Sequence, residues 1–173
     1  MKTKIRREIL IILLILITPM LHESAHFIFF IINGIPATMR YSVTISEKAS
    51  FSAKLAGPLY HIIVGGICII LANYNQKNKN TWAIIGLVAG IFRIVAICMI
   101  IIITFIIPSA TSDEGQVAHM LGIPSGIIYF FSFIINFLFV YLNEKNLKDK
   151  KVVMRIFLYT ILVMIFVLAL QVI

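Results

Sequence analysis

Five apolar runs, at residues 9–33, 55–73, 82–107, 123–142 and 155–173, divide this sequence. A membrane-crossing helix needs about 20 apolar residues, so each run is long enough to span. Lipid satisfies no backbone N–H or C=O, so runs of this kind fold as helices. The expected fold is an all-α membrane protein, a polytopic bundle of five transmembrane helices in one domain over residues 1–173. Composition excludes the soluble alternative: 61% of the chain is hydrophobic and the mean hydropathy is +1.03. A soluble domain of 173 residues has no core large enough to hide so much apolar surface.

The net charge of +8 does not point to nucleic acid. The positive residues gather at both ends and between the runs, as residues that set membrane orientation do. With the N-terminus inside, Lys2, Lys4, Arg6, Arg7, Lys77, Lys79, Lys145, Lys148, Lys150, Lys151 and Arg155 fall on the inner face. Only Arg40, Lys48 and Lys54 fall outside, while Arg93 lies within the third span. Eleven against three favours a cytoplasmic N-terminus. The expected location is a bacterial cell membrane, crossed several times, with membrane lipid as the surroundings. The opening MKTKIRREILIILLILI imitates a signal peptide, but no small-residue cleavage site follows, so it is expected to stay as the first span. Cys68 and Cys98 sit in apolar runs without CxxC spacing and read as small packing residues. Between the first two spans, RYSVTIS alternates like a strand, which predicts a short hairpin or a re-entrant loop.

Inside the first span stands HESAH, residues 22–26. Ionisable groups at membrane depth cost about 2.5–3.5 kcal/mol each on insertion scales, so they mark function by default. Positions i and i+4 share one helix face, which lets His22 and His26 hold one metal ion. Neutral imidazoles suit Zn²⁺, and the carboxylate of Glu23 beside them can take a proton from an activated water. The bland alternative is polar glue between helices.

A catalytic zinc wants a third protein ligand and one open position. Glu8 lies too near the inner end and Glu47 falls in the predicted hairpin. PSATSDEGQVAHMLGIP, residues 108–124, offers Asp113, Glu114 and His119. Ser112 or Asp113 also reads as the cap of a short helix, whose start suits acidic residues. Connectivity brings this loop to the histidines. His26 lies about 10 Å below the helix-ending Asn33-Gly34 at 1.5 Å per residue, and the loop leaves the third span on the same membrane face. Glu114, the next residue on a helix start, is expected to point elsewhere. On that face too, KLAGPLYHIIVGG opens the second span, and the embedded His61 needs a polar partner.

HESAH in a membrane helix, AGPL opening the next, and an aspartate–glycine element before a later span together resemble the site-2 protease family. The resemblance covers roughly residues 9–142. A glutamate separates Asp113 from Gly115 where the family has the two adjacent, and His61 stands where the family has asparagine. The resemblance implies an intramembrane zinc endopeptidase that cuts transmembrane proteins or peptides. His22, His26 and Asp113 would bind Zn²⁺, Glu23 would be general base and then general acid, and His61 would support catalysis at the oxyanion or the substrate. It also implies that the hairpin takes an extended substrate by strand pairing. Two rivals differ in class. A metal-ion or proton transporter would want a polar path to the inner face, which the second, third and fifth spans lack. A catalytically inactive binding partner would not keep an intact HExxH.

Overall fold

The computed structural model describes residues 2–107, 112–147 and 149–172. Pro108 to Thr111, from the loop before Asp113, and Lys148, among the inner charges, lie outside the described residues. Six helices are present among them: α1 (Lys2–Ile32), α2 (Phe51–Tyr74), α3 (Lys79–Ile106), α4 (Asp113–Leu121), α5 (Ser125–Lys145) and α6 (Lys151–Val172). All but α4 are long and apolar enough to cross a membrane. Several begin outside their apolar runs: α1 starts seven residues before Ile9 and α2 four before Leu55. A helix keeps its own hydrogen bonds past the lipid border, so hydropathy marks the slab and not the helix end.

Glycine sets two of the ends that matter for the site. Gly34, at φ +68°, closes α1 with bonds from its own N–H to the Ile31 carbonyl and from Ile35 to Phe30, both 2.9 Å. Gly122, at φ +67°, closes α4 in the same way, through Ile123 to Ala118 at 3.0 Å, and Pro124 follows. At the other end of α4, the Ser112 hydroxyl accepts from Gly115 N–H at 3.2 Å, the cap that the sequence suggests.

The segment between α1 and α2 is a hairpin, β1 (Ala37–Arg40) antiparallel to β2 (Val43–Ser46), with Arg40 opposite Val43 across a two-residue turn. It lies along α1. The Thr44 hydroxyl donates to the Glu23 carbonyl at 3.0 Å, and Tyr41 at the turn donates to the carbonyl of Leu16. Leu16 is about 24 Å from Ile32 along the helix axis, so Tyr41 reaches the middle of α1. Among the described residues no backbone hydrogen bond joins either outer edge of the hairpin to another element.

Helix α3 is the centre of the bundle, packed against α1, α2, α5 and α6. Gly86 and Gly90, one turn apart, admit α5: a Cβ at Gly86 would lie 2.5 Å from Asn143 Oδ1, and one at Gly90 would lie 2.8 Å from Val140 Cγ2. Small residues at this spacing let membrane helices close without a hydrophobic drive between them. Ile11, Ile15, Ile84, Leu87, Val88, Val152 and Ile156 form the apolar core between α1, α3 and α6, beside the lysine-rich end where α2 meets α3 and α5 meets α6. That end is clasped by ions. Arg7 and Arg155 share Asp149 Oδ2 at 3.0 and 3.1 Å, and Arg155 also pairs with Glu8.

Candidate metal centre

The opposite end brings together ionisable side chains from α1, α2 and α4. His22 and His26 project from one face of α1 and are 7% and 3% exposed. Asp113, the first residue of α4, reaches both. Its Oδ2 lies 3.1 Å from His22 Nε2 and 3.1 Å from His26 Nε2, and the two Nε2 atoms are 3.1 Å apart. Three donor atoms thus close a near-equilateral triangle.

The partners on the far side of each ring fix what those atoms carry. His26 Nδ1 lies 2.6 Å from the Ala53 carbonyl. A carbonyl only accepts, so Nδ1 holds the proton and Nε2 of the neutral ring holds a lone pair. His22 Nδ1 lies 3.1 Å from His61 Nε2, and His61 Nδ1 lies 2.9 Å from the Ala89 carbonyl. By the same rule His61 donates to Ala89 and accepts from His22, which leaves a second lone pair on His22 Nε2. Two lone pairs and a carboxylate oxygen at 3.1 Å repel unless a cation sits among them.

A proton satisfies one edge of the triangle at a time; a metal ion satisfies all three. Tetrahedral Zn²⁺ with bonds of about 2.0–2.1 Å has ligand–ligand edges of about 3.3 Å, close to the 3.1 Å found here. The space for an ion is kept open by Gly57 of AGPL. A Cβ there would fall 2.3 Å from His26 Nε2 and 2.6 Å from His22 Nε2. The residues fit a metal ion.

Glu23 stands beside this triangle, with a carboxylate oxygen within 4.8 Å of a ring nitrogen on each histidine. With His22, Ser42, Phe92 and Arg93 it lines a cavity of about 160 Å³ that Met164, Val167 and Leu168 of α6 close from the other side. His119 lines a separate, larger cavity with Gln116 and Tyr129. Of the three acidic or imidazole candidates in that loop, only Asp113 meets the histidines.

Glu114 is not the bystander that the sequence suggests. It is 2% exposed and pairs with Arg93 of α3, itself 5% exposed, while Ser132 of α5 donates to its Oε1 at 3.1 Å. The pair pins the start of α4, and with it Asp113, to the centre of the bundle. Sequence reasoning held half of the signal: a lone arginine inside a span needs a counter-charge, and Glu114 was within reach. His61 is fully buried, stacked on Phe92 with ring centres 5.8 Å apart, and its embedded position does find polar partners.

Comparison of the chain with protein-family models, with curated proteins and with solved structures finds no match. The likeness to site-2 proteases therefore stands on HESAH, AGPL and the aspartate element alone.

Proposed function

We propose that this protein is an intramembrane zinc endopeptidase that hydrolyses peptide bonds of transmembrane proteins or peptides. The observation that carries the proposal is the triangle of His22 Nε2, His26 Nε2 and Asp113 Oδ2 with Glu23 beside it. Zn²⁺, when bound, supplies Lewis-acid activation of water and of the scissile carbonyl. His22, His26 and Asp113 hold it. Glu23 follows His22 directly and so points about 100° away around the helix, free to take the proton of the attacking water and return it to the leaving nitrogen. The hairpin offers backbone groups to which an extended peptide can pair. An apolar core of Ile11, Ile15, Leu87 and Val88 lies between α1 and α3 towards the lysine-rich end, which favours hydrolysis over transport through the bundle.

The proposal places the N-terminus in the cytoplasm of a bacterial cell and the metal centre near the outer face. Single cysteines at Ser46 and Asn78 test this orientation with an impermeant reagent on intact cells. Labelling at 46 and not at 78 is expected; the reverse overturns it.

Purified protein, metal analysis and a model transmembrane substrate test the chemistry. Glu23→Gln keeps shape and removes the base, so zinc content stays near wild type while cleavage falls at least about 10²–10⁴-fold. Asp113→Ala loses zinc and cleavage together. A Glu23→Gln protein that cleaves at the wild-type rate would end the proposal.

A further inference from the structure

The two metal-facing histidines are held in different ways. His26 donates straight to a backbone carbonyl of α2, Ala53. His22 reaches a backbone carbonyl only through another side chain: Ala89 of α3 accepts from His61 Nδ1, and His61 Nε2 accepts from His22 Nδ1. Both nitrogens of His61 are spent in this chain. The ring is fully buried, wedged between Tyr60 and Phe92, and it does not line the cavity that Glu23 faces.

We propose that His61 is a positioning residue, which locks His22 in the tautomer that presents Nε2 to the metal and makes no contact with substrate. The inference rests on the metal-centre reading of the site. The lock follows from elementary bookkeeping of protons. A carbonyl cannot donate, so Ala89 forces the proton of His61 onto Nδ1; a neutral imidazole has one proton, so Nε2 must accept; among the described residues the donor facing it is His22 Nδ1–H. Remove the acceptor at position 61 and His22 is free to place its proton on Nε2, where it blocks metal binding. Partners of this kind are worth about 10–100-fold in metal affinity.

The measurement is zinc affinity by chelator competition on full-length protein in detergent, with no substrate present. His61→Phe keeps a planar ring beside Phe92 and removes the acceptor; affinity should fall about 10–100-fold, while cleavage at saturating zinc recovers most of the wild-type rate. His61→Gln restores an acceptor oxygen and should bind zinc within about threefold of wild type. A merely structural role would lower the thermal stability of the metal-free protein and leave no difference between Gln and Phe in affinity. Wild-type affinity in His61→Phe, or equal loss in both variants, overturns the proposal.

One readout needs no variant. The chain has four histidines, few enough for ¹⁵N-labelled imidazole spectra of the zinc-loaded protein. Protons on Nδ1 of both His22 and His61 are expected; a proton on His61 Nε2 overturns the lock. Wild-type protein that holds zinc in this state and cleaves nothing leaves the lock standing and removes the protease reading alone.

Discussion

Charge is placed at both ends of this bundle, under opposite rules. At the lysine-rich end, Arg7, Glu8, Asp149 and Arg155 pair in a shared network, yet each side chain keeps roughly a quarter to two-fifths of its surface exposed. At the metal end, His22, His26, His61, Arg93 and Glu114 are all buried, and Arg93 Nε and Glu114 Oε2 have no hydrogen-bond partner among the described residues. Exposed pairs contribute little because water already solvates them. Buried ones cost several kcal/mol per ion in desolvation and persist where a task requires them. The contrast teaches where to look for chemistry in a membrane chain: at the charges that water does not reach.

The largest break in the contrast comes from one methyl group. Gly57→Ala places a Cβ 2.3 Å from His26 Nε2, inside the space a metal would take. Zinc stoichiometry should drop below about a tenth of wild type, with the helical circular-dichroism signal unchanged. Full zinc occupancy in Gly57→Ala would show that α2 can retreat from α1, and that the triangle is looser than its distances imply.

Glu114→Ala comes next. It strands Arg93 in the centre of the bundle, a loss of about 3–5 kcal/mol for a broken buried pair, and it frees the start of α4. Thermal unfolding should shift down and zinc affinity should fall with it. Arg93→Met combined with Glu114→Leu should recover most of the thermal stability, because an apolar pair of similar volume removes the desolvation cost. Unchanged stability in Glu114→Ala would mean that Asp113 alone fixes α4.

Glu8→Gln should have the smallest effect. It removes one partner of Arg155 at the half-exposed clasp, worth under about 1 kcal/mol, and Asp149 still holds that arginine. Zinc content and cleavage should match wild type. A drop in zinc content would show that the two ends are coupled through α1, and the contrast would fail.

Much of the metal end was legible in the sequence because its cues are local or periodic. The spacing of His22 and His26 is a helix repeat, Asn33-Gly34 is a helix stop, RYSVTIS alternates as a strand does, and Ser112 before Asp113-Glu114 is a helix cap. Asp113 came to the histidines by connectivity, since it follows a span that ends on their face. What stayed hidden is long-range. Nothing in periodicity says that Arg93 of α3 faces Glu114 of α4, or that His61 faces His22 and not lipid. The partner that fixes the whole chain of protons is a backbone carbonyl, Ala89, and every residue carries one.

The proposed hydrolysis would also have to solve a supply problem, because the hydrocarbon of a bilayer holds almost no water. The hairpin bears on it. A ribbon of two strands pairs only its inner edges, and the amides and carbonyls along both outer edges are carried down beside α1 to the level of Leu16. Hydrocarbon cannot satisfy them. They must draw in either solvent or another strand, and a peptidase at this depth consumes the first to cut the second. Under the proposed function the hairpin would serve as a wick: a polar seam that wets the bilayer next to Glu23 until a peptide lies along it.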